Sequence, residues 1–433
     1  MSHKYLWRIL TKPFSLGILR ERIEGRIVYH PPIALQHCNS HSHASGSPPQ
    51  SVLKIEPTFQ SHGDLLSMLP AELVESIFSH CDANTLRASG LVCKYWRAIT
   101  LRHLFTRVVI SAAMTFIFVD FLRSDLGRPF REVVRSLSLT ENDSSCTPIP
   151  ESTVKSLSTL LQLSTLKLYI PASTLSRQTR SPYSRVHSPR DLSGFQRNFK
   201  AVTNLTLNIY SDTFIEVAEL LNSFPTLETL TLSCIVRTDA EKGDSELPVK
   251  HVSLPRTLHS VHLPDVGSSA VFLRWLHSHK RKPLISTLTL GGIMTSRFIG
   301  PYIQELGKTL ECLTMSGLIS YQLSRGQLDL SYNTNLRKLT IRSQKSSGEM
   351  NFLALSKVGS YVLEEFAFDA CDPTRDPGDE KFWPRLDFLL ATPQFSKLRQ
   401  IILTIARDEH HAVEARLPLT ASRGILRFRV EPA

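Results

Sequence analysis

Ten short segments of this chain repeat one apolar frame, and that repetition restricts the possible folds more than any other feature. Each segment places apolar residues at its first, fourth and sixth positions: Val134/Leu137/Leu139, Leu163/Leu166/Leu168, Val202/Leu205/Leu207, Leu227/Leu230/Leu232 and Leu258/Val261/Leu263. The frame continues at Ile285/Leu288/Leu290, Leu310/Leu313/Met315, Leu336/Leu339/Ile341, Leu363/Phe366/Phe368 and Leu398/Ile401/Leu403. Successive first positions lie 29, 39, 25, 31, 27, 25, 26, 27 and 35 residues apart. Period-two alternation makes each segment a short strand with one inward face. Between them lie helical candidates at 214–224, 270–276 and 302–306. A lone unit of this kind cannot bury its own apolar row, whereas stacked units share one continuous core. Residues 424–430 alternate once more and are expected to form a terminal strand. The unequal spacing also leaves open an unrelated α/β fold with many parallel strands.

The frame and its quasi-period resemble the leucine-rich repeat. The resemblance implies an α/β chain whose residues 108–433 form an irregular solenoid of about ten strand/helix repeats. In such a solenoid the residues flanking the last two apolar positions face the concave side. Here they include Lys167, Tyr169, Asn204, Asn208, Thr231, His262, Thr289, Lys338, Arg342, Glu365 and Asp369, with Thr206, Thr229, Thr287, Thr314 and Thr340 between them. A threonine-rich row with charge toward its later repeats suits a protein ligand read by hydrogen bonds and a few ion pairs. Most of these positions are expected to be ordinary solvated strand residues, because a minority of interface residues carries the energy.

Residues 69–105, LPAELVESIFSHCDANTLRASGLVCKYWRAITLRHLF, read as three short helices. Pro70 suits a first helical turn, with Glu72 beside the positive end of the helix. Leu69, Leu73 and Ile77 form one stripe, and Val74 and Phe78 a second beside it. Asp82 or Asn84 can cap the next helix, which carries Leu86 and ends at Gly90. Val92, Cys93, Trp96, Ile99, Leu104 and Phe105 follow. Fewer than about 40 residues seldom bury this many apolar side chains unaided, so some must meet another surface.

The order of Leu69-Pro70, Glu72-Leu73, Ile77-Phe78, Leu86 and the run 91–96 (LVCKYW) resembles the F-box, and looks closest to the F-box proteins common in basidiomycete fungi. The pattern departs at Gly90, where a small helix former is usual; glycine there is expected to loosen the second helix. By this resemblance the module occupies 64–107 and docks a Skp-type adaptor, and through it a cullin. The docking residues would be Leu69, Pro70, Leu73, Ile77, Phe78, Leu86, Leu91, Val92, Cys93 and Trp96. An F-box ahead of a repeat domain implies a non-catalytic substrate receptor of a ubiquitin ligase that commits proteins to proteasomal degradation in the cytoplasm or nucleus. The alternative is a repeat scaffold whose F-box-like helices only cap the solenoid.

Composition narrows the remaining classes. The net charge of +11 invites a nucleic-acid partner, yet residues 1–62 carry +4 of it and residues 171–200 carry +5. Charge in two polar stretches reads as solvation rather than as a basic stripe on a folded face, so no nucleic-acid partner is expected. Residues 1–63 read as a disordered leader, rich in His, Ser and Pro from position 30 onward, and 171–199 as a loop insertion that accounts for the 39-residue interval. The insertion holds Ser181-Pro182 and Ser188-Pro189, where phosphorylation would offset its positive charge. Seven scattered cysteines without CxxC pairs indicate a reducing compartment. No membrane contact is expected, since the longest apolar run, 108–119, is shorter than the roughly 18 residues a spanning helix needs. Hydrolase and dinucleotide motifs are absent. Gly307-Lys308-Thr309 imitates the end of a phosphate loop, but Tyr302 stands where its first glycine belongs. His37, Cys38, His41 and His43 could touch zinc but lack a second ligand pair, so no metal, cofactor or catalytic residue is assigned.

Overall fold

The computed structural model describes residues 69–125, 127–140, 151–169, 199–211, 214–236, 254–264, 266–279, 282–291, 299–316, 328–342, 348–369, 381–405 and 410–430. The leader, the zinc-like histidines and nearly all of the basic insertion lie outside these residues. Leu66–Ala433 form one compact unit.

Three helices open the described chain: α1 (Ala71–Ser79), α2 (Ala83–Ser89) and α3 (Lys94–Thr106). They lead into a mixed α/β region built on one sheet. Its strands are β1 (Arg107–Ser111), β2 (Ser136–Thr140), β3 (Thr165–Tyr169), β4 (Asn204–Ser211), β5 (Thr229–Val236) and β6 (Ser260–Leu263). β7 (Thr287–Leu290), β8 (Cys312–Ser316), β9 (Lys338–Arg342), β10 (Glu365–Asp369), β11 (Gln400–Ile405) and β12 (Leu426–Val430) complete it. Every strand pairs in parallel with its neighbour in sequence, so spatial order equals chain order. Parallel neighbours need a crossover. Described helices in the crossovers are α4 (Ala112–Arg123), α5 (Glu151–Leu157), α6 (Phe214–Leu221), α7 (Val266–Ser278), α8 (Ile299–Leu306), α9 (Gly348–Ser356), α10 (Phe382–Leu390), α11 (His410–Arg416) and α12 (Pro418–Ser422).

The apolar frame explains the register. Its fourth-position residues align across the sheet from Val108 through Leu137, Leu166, Leu205, Leu230, Val261, Leu288, Leu313, Leu339, Phe366 and Ile401 to Leu426. From Leu137 onward this row is buried, in one cluster with helix residues such as Phe272, Trp275, Tyr302 and Trp383. A second device holds the register just ahead of the strands. One carbonyl of each unit accepts two successive N–H groups of the next: Arg135 from Ser164 and Thr165, then Ser164 from Thr203 and Asn204, onward to Glu364 from Arg399 and Gln400. Lateral order is thus written into backbone as well as side chain.

Residues 108–119 divide between β1 and α4. Phe105, Val108 and Ile110 are a further copy of the apolar frame that the helical block overlaps. Among the described residues no helix is long and apolar enough to cross a membrane. The expected terminal strand forms as β12, and the helical candidates at 214–224, 270–276 and 302–306 fall on α6, α7 and α8.

Candidate functional site

The three-helix block has a small core of its own, made of Val74, Phe78, Leu86 and Ile99, with Leu69, Cys81, Trp96 and Leu104 packed against it. The Pro70 carbonyl accepts from Leu73 and Val74 N–H (3.0 and 3.2 Å), so the helix starts one residue after the proline. Asp82 caps α2, its Oδ1 accepting from the N–H groups of Asn84 and Thr85 at 2.9 and 2.8 Å. These bonds, Thr85 foremost, hold its carboxyl below the usual range. Cys93 starts α3, where its Sγ accepts from Trp96 N–H at 3.4 Å. The Phe78 and Trp96 rings meet edge-on, 5.2 Å between centroids.

This packing sorts the expected docking residues. On α1 the pair Val74/Phe78 points inward, which turns Leu73 and Ile77 outward, 53% and 55% exposed. Leu91 and Val92 in the α2–α3 turn are 78% and 61% exposed. Pro70 is exposed, and Leu69, Cys93 and Trp96 are half-buried. Phe78 and Leu86 are buried inside the block, so they shape the surface instead of forming it. Tyr95, absent from the expected set, is exposed three residues after Val92; its only sequence signal is a place inside the run 91–96.

The block joins the sheet without a linker, since α3 ends at Thr106 and β1 begins at Arg107. Phe105 anchors the junction against Phe130 at 4.3 Å and Phe121 at 5.8 Å, and those two rings lie 5.4 Å apart.

The eleven strand residues expected to face a ligand all occupy strand positions that alternate with the buried frame. Lys167, Thr206, Thr231, His262, Thr289, Thr314 and Thr340 form one row across seven strands. Tyr169 pairs in register with Asn208, and Asn204 with Thr229. His262 is held between two hydroxyls, with Nδ1 2.9 Å from Thr289 Oγ1 and Nε2 3.1 Å from Ser260 Oγ. Burial pushes its pKa down, which keeps the ring neutral near pH 7. Lys338 Nζ sits 3.2 Å from Glu365 Oε2, and the same oxygen accepts from Gln400 Nε2 at 2.6 Å. Arg342 and Asn208 are exposed and Asp369 is half-buried. Among the described residues no cluster of His, Cys, Asp or Glu could hold a metal. The centre of this face therefore offers hydroxyls and amides, and its charges stand to either side.

A family model described as F-box-like matches residues 66–111, which covers the three helices and β1. No curated protein matches the chain.

Proposed function

We propose that this chain is a non-catalytic substrate adaptor of a Skp–cullin–F-box ubiquitin ligase, and that the parallel sheet with its crossovers is a leucine-rich-repeat solenoid. The observation that carries this reading is the exposed apolar group Leu73, Ile77, Leu91, Val92 and Tyr95, on a block that already has a core and matches the F-box-like family. Large apolar side chains gathered on one small module mark an interaction site. In the same block Pro70 is exposed, Leu69, Cys93 and Trp96 are half-buried, and Phe78 and Leu86 belong to the core. A block that merely capped the sheet would use these five side chains against it, and they stay exposed.

In this reading the strand face carrying Lys167, Thr231, His262, Thr289, Lys338, Arg342, Glu365 and Asp369 binds a protein substrate. The ligase then works through effective concentration, with no chemistry in this chain. The Phe105 junction supports that role because it keeps the substrate at a set distance from the adaptor. Titration calorimetry of the full chain with a Skp-type adaptor tests the docking half. A one-to-one complex is expected, weakened about thirtyfold or more in Leu73→Ala/Ile77→Ala/Val92→Ala, since such anchors are worth ~2 kcal/mol or more. Undiminished binding by that variant rejects the assigned face.

A further inference from the structure

Two of the most exposed aromatic side chains in the described chain lie away from both surfaces above. Tyr332 and Tyr361 are 60% and 68% exposed, in the turns just ahead of β9 and β10. Both turns are tied to neighbouring units by hydrogen bonds. Asn333, fully buried, donates from Nδ2 to the carbonyls of Ile303 (2.8 Å) and Gly307 (3.1 Å). Ser360, also fully buried, donates to the Leu336 carbonyl at 2.7 Å and accepts from Val362 N–H. The two turns also touch through backbone: Gly359 N–H donates to the Leu330 carbonyl, and a β-carbon on Gly359 would fall 2.1 Å from Ser331 O. Glycine is required there for that close approach. Tyr332, one residue after Ser331, and Tyr361, two after Gly359, are therefore presented by neighbouring turns in backbone contact.

Charge on the same rim is ordered too. Glu364 Oε1 lies 3.0 Å from the Arg337 guanidinium and its Oε2 lies 3.8 Å from that of Arg399. One carboxylate thus steadies two guanidiniums that remain 55% and 79% exposed. Two further acids stand on this rim: Asp329, which accepts from Ser331 N–H at 2.9 Å, and Glu311, exposed, whose carbonyl accepts from Arg337 N–H. Lys308 and Lys397, exposed in the flanking turns, add positive charge. Tyrosine and arginine dominate interface hot spots, and a rigid tyrosine gives contact area at little entropic cost. Two tyrosines and two arginines on one rim suit recognition, and its four basic groups (Arg337, Arg399, Lys308 and Lys397) outnumber its three acids (Glu364, Asp329 and Glu311).

We propose that this amino-terminal rim of β9–β11 is a second protein-docking surface, separate from the strand face, that takes an acidic, proline-bearing segment of a partner protein. The tyrosine faces would stack on its prolyl rings and Arg337 and Arg399 would pair with its carboxylates. Fluorescence anisotropy of the full chain with a labelled twelve-residue Glu-Pro repeat tests the assignment, with Glu-Ser and Lys-Pro repeats and a twelve-nucleotide oligouridine for comparison. The Glu-Pro probe is expected to bind best, to lose about fivefold or more in Tyr332→Ala/Tyr361→Ala and in Arg399→Glu, and to be unaffected by Tyr332→Phe/Tyr361→Phe or by Lys167→Glu on the strand face. Failure of the Glu-Pro probe to bind, binding indifferent to the tyrosines, equal loss in Lys167→Glu, or preference for oligouridine would each overturn it. None of these outcomes depends on the Skp-type adaptor, so the two proposals fail separately.

Discussion

A β-carbon placed on Gly90 would lie 2.9 Å from the Oγ1 atom of Thr100, so α2 and α3 meet where only a hydrogen fits. Gly90 has an ordinary right-handed backbone, φ −65°, which alanine adopts without strain. Space, not conformation, explains a glycine where F-box-like sequences usually carry a small helix former, and α2 ends at Ser89 with Gly90 as its C-cap. Thr100 cannot yield easily, because it is buried, β-branched and bonded to the Arg97 carbonyl at 3.2 Å.

Gly90→Ala is expected to destabilise the block by about 1–2 kcal/mol through overpacking. The same change made in a Thr100→Ala background should be neutral or stabilising, since alanine then brings only its better helix propensity. Hydrogen exchange of the α2 and α3 amides reads both effects. Equal changes in the two backgrounds would show that the contact is not the reason for the glycine.

Neighbouring residues on α1 should behave in opposite ways. Phe78→Ala removes a buried ring and is expected to cost about 3–5 kcal/mol. Ile77→Ala truncates an exposed side chain and should stay within about 0.5 kcal/mol. Adaptor binding reverses the order of cause: Ile77→Ala weakens it with the block folded, and Phe78→Ala weakens it by unfolding the block. Exchange protection of α1 measured beside adaptor titration separates the two, and equal protection in both variants would sink the division.

The strand frame was legible because three apolar slots at fixed spacing leave one period and one inward face. The residues around Val74 and Ile77 were harder: two stripes side by side on one helix are both apolar, and only the packing partners Trp96 and Ile99 decide which is inside. β1 was hidden because Phe105 belongs to two patterns at once, closing the helical block and opening a frame. Tyr332 and Tyr361 left no sequence signal, since one tyrosine in a turn looks like another until neighbouring turns are stacked.

The last strand hides its frame differently. Leu426 and Phe428 fill two slots of β12, and the first slot holds Arg423. Its guanidinium donates to the carbonyls of Leu390 at 2.8 Å, Phe395 at 3.0 Å and Leu398 at 3.3 Å. Arg423→Leu would complete the apolar frame and is nonetheless expected to destabilise by about 2–3 kcal/mol, because it strips the donors from partly buried carbonyls. A thermal melt settles the sign, and a gain in stability would show that the frame outweighs the bonds.

Asp387 ties the same end together. It is buried on α10, and its carboxylate accepts from Leu419 N–H (2.9 Å), Thr420 N–H (2.8 Å) and Thr420 hydroxyl (2.6 Å) at the start of α12. Asp387→Ala leaves those donors unpaired and is expected to cost about 2–4 kcal/mol, confined to the last units. Exchange should rise in α12 and β12 and stay unchanged in β3–β5. A uniform rise would mean that the sheet unfolds as one unit.

His262 makes stability depend on pH with a definite sign. Its half-burial holds the folded pKa below the ordinary 6.5, so the unfolded chain takes up the proton first. Nothing is contributed above about pH 7, and stability falls as pH drops through 6.5 toward the folded value. Among the described residues no carboxylate faces the ring to reverse this: Thr231 and Thr289 flank it from β5 and β7, Ser260 lies two residues before it, and Lys167 and Lys338 stand three strands away on either side. His262→Gln keeps a hydrogen-bonding side chain and removes the titration. Urea unfolding at pH 7.5 and 5.5 should show a smaller loss for this variant than for the native chain, with the two nearly equal at the higher pH. Parallel losses in both proteins would assign the acid sensitivity to another group.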